Sequence, residues 1–233
     1  MLGRELFERA LGIESPWYIK SIEFDEDRHR LDIKIDFKSG AKFKYSEGDI
    51  DGMFKAYDTK EKTWRHLNFF QHECYLHTRV PRIKTDNGKV RMITAPWEGK
   101  SKGFTLLFEA LVLQLCTAMP VHQVEKLINE SDDKLWRMLG KYIEEALELN
   151  DYSDVESVGI DETSRRSGHN YITLFVNMIK KRTIFITKGK DSQTVSDFVK
   201  DLEEHNGDEE KVKDVSCDMS KGFRKGVKGH LPN

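Results

Sequence analysis

A chain of 233 residues, 38% hydrophobic and 33% charged, is long enough to bury one or two cores and has the composition of an ordinary soluble protein. No apolar run approaches the ~20 residues of a membrane helix, the N-terminal residues 1–10 lack the apolar core of a signal peptide, and Cys74, Cys116 and Cys217 are too few and too scattered for a disulfide framework. A net charge of −2 leaves any affinity for nucleic acid to local basic patches, and together these features imply a cytoplasmic protein with no membrane partner.

Residues 5–11 place Leu6, Phe7, Ala10 and Leu11 at helical spacing, a short amphipathic helix ended by Gly12. Residues 17–24 and 31–37 predict a β-hairpin around the charged turn 25–30, with Leu31, Ile33, Ile35 and Phe37 alternating strictly with Asp32, Lys34 and Asp36. Ser39-Gly40 and Glu47-Gly48-Asp49 are turn chemistry. Residues 63–68 and 73–80 predict another strand pair ended by Pro81; a turn at 84–88 and a short strand at 90–94 follow. The first hundred residues thus read as a small β-rich module.

Helical periodicity takes over at Phe104. Leu106, Leu107, Ala110, Leu111, Val112, Leu113 and Leu115 predict a helix apolar on nearly all sides and therefore buried. Pro120 suits the start of a second helix carrying Val121, Val124, Leu127 and Ile128. Asn129-Glu130 breaks it, and Ser131 caps a third whose first turn holds Asp132 and Asp133. Leu135, Trp136, Leu139, Ile143 and Leu147 run along that third helix. A short second helix and a tight turn before the third resemble a helix-turn-helix, although a plain helical bundle fits the same pattern.

Beyond a linker at 150–156 come predicted strands at 155–161, 169–177 and 182–187, a helix at 192–204, a strand at 212–217 and a helix from about Ser220. Asp161 ends the apolar run of Val155, Val158 and Ile160, and Asp218 stands at the tip of the fourth strand. Carboxylates are the hard ligands that Mg2+ or Mn2+ prefers, and two such ions about 4 Å apart serve phosphoryl transfer. Two acids at strand ends, with a hairpin and a helix between, is the device of a ribonuclease-H-type fold; aspartate at a strand end is also ordinary punctuation. Glu162 points the opposite way from Asp161 and is left out of the site. Basic clusters occur at Arg165/Arg166, at Lys180/Lys181/Arg182 and at Lys221/Arg224/Lys225/Lys228. The first, in a predicted turn with Ser167 and Gly168, and the third flank the aspartates, where phosphates would approach; the middle one reads as a solvated face.

Three other constellations carry less. His66, His72, Cys74 and His77 look like a zinc cluster, but strand alternation sends His77 to the face opposite His72 and Cys74. Residues 98–103, Glu-Gly-Lys-Ser-Lys-Gly, lack the spacing of a phosphate loop. His169 and His205 read as structural, and Cys217 as a small core residue pointing away from Asp218.

The chain resembles the ISL-type DDE transposases of bacterial insertion sequences, the third group bearing that name. The residues that carry the resemblance include Lys62-Thr-Trp-Arg-His-Leu67, Arg79-Val-Pro-Arg82, Gly103-Phe-Thr-Leu-Leu-Phe-Glu-Ala110, Leu135-Trp-Arg137, Gly159-Ile-Asp-Glu-Thr-Ser-Arg-Arg-Ser-Gly-His169 and Asp218-Met-Ser220. The resemblance implies an α+β protein in three parts: a β-rich module at 1–100 in place of the family's zinc-binding domain, a helix-turn-helix at 101–150, and at 151–233 a partial ribonuclease-H-like domain of three strands, a helix and a fourth strand. It makes Asp161 and Asp218 the first two catalytic and metal-holding carboxylates, with Mg2+ or Mn2+ as cofactor. Lys134, Arg137, Arg165, Arg166, Lys221 and Arg224 become the candidate contacts to DNA.

Two departures stand out. The family's paired zinc cysteines should fall near residues 43–48 and 83–88, where this chain has Phe-Lys-Tyr-Ser-Glu-Gly and Ile-Lys-Thr-Asp-Asn-Gly, so no structural zinc is expected. The family also continues past residue 233 to a third carboxylate, a glutamate, so a truncated and inactive transposase is expected. The alternative is a non-catalytic fragment that binds terminal repeats, or pairs with itself or full-length transposase, and regulates transposition.

Overall fold

The period-two run at 31–37 forms the strand it predicts, with Leu31, Ile33 and Ile35 at 3% exposure or less. The structure, a computed structural model, describes residues 2–166 and 170–231. They fall into two units, Met1–Ile143 and Glu144–Asn233. Among the described residues no helix is long and apolar enough to cross a membrane. The architecture is mixed α+β, with a β-rich N-terminal region, helices in the middle and a second sheet near the C-terminus.

In the first unit, α1 (Leu2–Ala10) leads into β1 (Trp17–Asp25) and β2 (Arg30–Phe37). β3 (Lys42–Glu47), β4 (Ile50–Phe69), β5 (His72–Lys84) and β6 (Val90–Met92) complete a six-stranded sheet ordered β1-β2-β5-β4-β3, with β6 on β5. β2 and β5 run parallel and the other pairs antiparallel. Trp17 gathers Phe37, Phe43 and Trp97 around it at ring distances of 5.2–5.7 Å. β3 is a strand where the sequence suggests only turns, and β4 starts at Ile50 and not at residue 63. Both belong to a half-solvated hairpin: Phe43, Phe54 and Ala56 pack on the core while Lys42, Lys44, Met53 and Lys55 face water, so the alternation hides among charges.

Three helices follow, α2 (Leu106–Ala118), α3 (Val121–Ile128) and α4 (Asp132–Glu148). Thr105 Oγ1 caps α2 by accepting from Phe108 N at 3.3 Å, and Asn129, in the left-handed region at φ 55°, ends α3. The expectation that α2 is buried nearly all round is corrected. It packs along one stripe containing Phe108 and Val112, and Leu106 and Leu107 are half exposed. Trp136 also leaves the core. The stripe of α4 that meets Phe108, Val124 and Ile128 is Leu135, Met138, Leu139 and Tyr142, an i, i+3, i+4, i+7 set from which Trp136 is one step removed.

The second unit contains β7 (Ser157–Arg166), β8 (Asn170–Asn177), β9 (Arg182–Lys188), α5 (Ser192–Glu204), β10 (Asp214–Cys217) and α6 (Lys221–His230). The sheet order is β10-β7-β8-β9; the first three strands in sequence form an antiparallel meander and β10 lies parallel to β7. That is the strand arrangement of the first half of a ribonuclease-H-like fold. Val195, Phe198, Val199 and Leu202 of α5 and Phe223 of α6 cover one face, over Val158, Ile160 and Phe175. Phe175 and Phe198 stack at 4.4 Å. β7 runs five residues past its predicted end at 161, because its pairing with β8 continues through Thr163↔Ile172 and Ser164↔Tyr171 after the apolar run stops.

Candidate nucleic-acid interface and carboxylate pair

In the first unit, α3 and α4 are joined by Asn129-Glu130-Ser131, and the Ser131 carbonyl accepts from Lys134 N at 3.1 Å and Leu135 N at 3.2 Å to start α4. Early on α4 the exposed side chains are Asp132, Asp133, Lys134, Trp136 and Arg137. Arg137 Nε donates to the Asp133 carbonyl at 3.1 Å. Lys134 Nζ donates to Glu130 at 2.7 Å, one turn back, so it must leave that partner to meet a phosphate. Trp136, 56% exposed beside Arg137, is the residue that sequence reasoning put in the wrong place. Its position off the apolar stripe was the available signal.

The loop at 98–103 does hold an oxyanion, but an internal one. Lys100 N and Ser101 N donate to the Glu109 carboxylate at 2.8 and 2.6 Å, and Tyr142 Oη donates to it at 2.7 Å. A Cβ on Gly99 would lie 2.4 Å from the Glu109 carboxyl carbon, so only glycine lets the loop close this tightly. Lys141 Nζ ties α4 to the same loop by donating to the Lys100 carbonyl at 2.7 Å.

The histidines and cysteine around residues 66–77 have separate partners. His66 Nδ1 lies 2.9 Å from Thr105 Oγ1; burial, helped by the Arg65 guanidinium, lowers its pKa to about 4. Cys74 is in the core, where burial pushes its thiol up to about 12. His77 meets Thr63 and Asp32, and His72 packs on Phe24 and His29. Among the described residues no three His, Cys, Asp or Glu side chains gather as a metal site.

In the second unit, β10 and β7 pair residue for residue from Asp214↔Ser157 to Cys217↔Ile160. The last pair stands one residue before Asp218 at the end of β10 and one before Asp161 on β7. Ile160 and Cys217 pack toward the core, so Asp161, next along β7, points to the opposite face; both aspartates are exposed. Each has one oxygen held by the backbone: Asp161 Oδ1 accepts from Glu162 N and Asp218 Oδ1 from Ser220 N, both at 2.8 Å. Among the described residues the second oxygen of each carboxylate has no hydrogen-bond partner. Glu162 lies on the core side opposite Thr173, 3.9 Å from Lys190. Two hard oxygen donors on neighbouring strands fit a magnesium-like ion better than a soft metal.

Ser220 Oγ accepts from Phe223 N at 3.2 Å and caps α6 immediately after Asp218. Lys221, Arg224, Lys225 and Lys228 are exposed on that helix, while Phe223 and Gly226 are buried. Arg165 and Arg166 end β7; their side chains, and residues 167–169 with His169, lie outside the described residues. Lys180 is paired with Asp154 at 2.6 Å, and His205 Nδ1 lies 2.7 Å from the Asp201 carbonyl.

Residues 158–233 match a family model described as a transposase, and residues 93–143 match the helix-turn-helix domain of transposase family ISL3. The chain is 24% identical over 233 residues to the transposase for insertion sequence element IS1001 of Bordetella parapertussis, covering 100% of this chain and 56% of that protein. It is 23% identical over 207 residues to the transposase for insertion sequence element IS1557 of Mycobacterium tuberculosis, covering 85% of this chain and 46% of that protein. The chain thus spans about half the length of the curated relatives it matches.

Proposed function

The chain belongs to the ISL3 family of insertion-sequence transposases, and we propose that it acts in DNA transposition in the cytoplasm, its helix-turn-helix holding the terminal repeat of an element and Asp161 and Asp218 lying where strands are cut and joined. The division of labour follows the segments 1–100, 101–150 and 151–233. Arg137, with Trp136 beside it, reaches base edges from the early turns of α4, and Lys134 exchanges Glu130 for a phosphate. Asp161 and Asp218 hold Mg2+ or Mn2+ between neighbouring strands, whose rigidity fixes the two carboxylates relative to each other. Bound there, the ion supplies Lewis-acid stabilisation of charge on phosphoryl oxygens. Arg165, Arg166, Lys221 and Arg224 neutralise the phosphates on either side.

The parallel pairing of β10 with β7, ending at Cys217↔Ile160 just before the two aspartates, supports this reading. In a second reading these 233 residues occupy element ends without cutting them, alone or paired with a longer transposase, and so restrain transposition. The compact unit Met1–Ile143, with one hydrophobic cluster in its sheet and another among its helices, favours it.

Titration of the protein with Mn2+, followed by calorimetry, tests the site. Asp161→Asn and Asp218→Asn should each weaken binding by more than about 10-fold, the loss that even an outer-shell partner brings. Unchanged affinity in both variants would remove the metal site. Gel-shift binding to duplexes carrying the element's ends, with and without cleavage in Mg2+, separates the two readings: binding with cleavage supports the first, binding alone the second. No end-specific binding sinks both.

A further inference from the structure

The hairpin that the sequence hides among charges has an outer face of its own. Lys42 on β3 is directly opposite Lys55 on β4. The β4–β5 register begins at Ala56↔Ile83, so one step further Lys55 neighbours Lys84 on β5. Three ammonium groups therefore line up across three adjacent strands, and Lys44 lies two residues from Lys42 on the same face of β3. All four lysines are exposed, and among the described residues none has a recorded ion pair. Of the acids nearby, Asp58 is engaged by Arg82, and Glu47 by Tyr45 and, at 3.4 Å, by Arg91; Asp51, exposed on the same face of β4 two residues beyond Met53, offsets one of the four lysine charges. The orientation of the row is fixed from beneath by Phe43, Phe54, Ala56 and Ile83, which pack on the core from the other face.

Like charges directly opposite each other destabilise a strand pair, so the row is a cost to the fold. Lysines on an edge strand guard it against pairing with other chains, which accounts for Lys42 and Lys44 on β3. It does not account for Lys55 or Lys84, whose strands are flanked on both sides. A bound polyanion offsets the repulsion. The row spans roughly 10 Å, two strand spacings, and duplex DNA presents a charge every ~1.7 Å of axis. Single-stranded nucleic acid is a poorer fit, because it needs stacking platforms and among the described residues the face offers one exposed aromatic ring, Tyr57, with Lys84 5.8 Å from its centroid.

We propose that this face of β3, β4 and β5 is a second DNA-contacting surface that takes the phosphate backbone of a duplex without reading its sequence. The inference rests on the DNA-binding reading above and extends it to a part of the same unit outside the helix-turn-helix.

The test is the salt dependence of duplex binding by the whole chain, measured between about 50 and 200 mM salt for an element-end duplex and an unrelated one. Changing Lys42, Lys55 and Lys84 together to Gln should reduce the slope of log K against log salt by about 0.9 per lysine, roughly 2.7 in all, for both duplexes. Changing the same three to Arg should preserve it, and Arg137→Ala should instead reduce discrimination between the duplexes. Parent binding with a slope untouched by the Gln changes overturns the inference and leaves the helix-turn-helix reading standing. An unchanged slope together with salt-sensitive capture of polyglutamate reassigns the face to an acidic protein and likewise overturns it. Failure of the parent to bind either duplex overturns both readings.

Discussion

Arg65 Nε and Glu130 Oε1 face each other at 3.9 Å, with only 2% and 7% of their side chains exposed. Arg65 leaves β4 of the sheet and Glu130 sits in the turn between α3 and α4, so the pair ties the two parts of the first unit together. The guanidinium also donates to the His66 and Cys74 carbonyls at 3.1 and 3.3 Å and to Asn68 Oδ1 at 2.7 Å, and it covers the Phe108 ring at 5.3 Å. Its backbone completes the join: Arg65 N donates to the Gly103 carbonyl and the Arg65 carbonyl accepts from Thr105 N.

Arg65→Ala should therefore cost about 3–5 kcal/mol, the loss expected when one partner is removed from a buried ionic cluster. Arg65→Lys should recover little, since an ammonium cannot serve several acceptors with a planar fork. Because the join is internal to one unit, tryptophan fluorescence from the sheet and far-ultraviolet dichroism from the helices should report one urea transition in a fragment of residues 1–143. Separate midpoints in the parent fragment would mean that sheet and helices fold independently, contrary to this account.

Glu109 makes a second prediction. Its buried carboxylate accepts from two backbone amides and a phenol, and Gln in its place turns an NH2 group toward donors that need an acceptor. Glu109→Gln should lower stability by about 1–3 kcal/mol, read as a fall in the urea midpoint at constant m value. An unchanged midpoint would mean the loop at 98–103 has other support.

What the sequence disclosed depended on how cleanly each element separated its faces. The helix at 192–204 has the predicted bounds because Val195, Phe198, Val199 and Leu202 mark a single stripe and Asp191 caps it. The strand bearing Leu31, Ile33 and Ile35 was equally plain. β3 and the first half of β4 were hidden, since their outer positions mix Lys42, Lys44 and Lys55 with the apolar Met53 and Tyr57, and the inner ones are interrupted by Gly52 and turn residues. Asp161 stands out in the sequence by its place after an apolar run, whereas the parallel register that pairs Cys217 with Ile160, each one residue before an aspartate, joins residues far apart in sequence and no local pattern encodes it. The buried Glu109 gave no sign of its role, because only the folded loop brings Lys100 N and Ser101 N to it.

His66 should make the fold acid-sensitive. Burial holds its pKa at about 4 against an ordinary 6.5, so between those values the unfolded chain binds a proton that the folded chain refuses. Stability from this group is full above pH 6.5 and is lost as the pH falls toward 4, by roughly 3 kcal/mol in total. In His66→Gln that part of the pH dependence should vanish. The check is the parent-minus-variant difference in unfolding free energy at several pH values across the window, and a flat difference would refute it.

Two helical glycines should respond to alanine with opposite signs. In α6, a Cβ on Gly226 would come within 2.7 Å of Val195 Cγ2 and 3.2 Å of Ser192 Cα on α5, so Gly226→Ala must push the two helices apart. The expected cost is about 1–3 kcal/mol of overpacking. In α4, a Cβ on Gly140 meets nothing within 4 Å, and the helix interior is otherwise penalised by glycine's freedom in the unfolded chain. Gly140→Ala should stabilise the first unit by about 0.5–1 kcal/mol. Thermal melts of the two variants beside the parent decide both. If Gly226→Ala melts no lower than the parent, the close α5–α6 approach over the carboxylate-bearing sheet is not a feature of the folded protein.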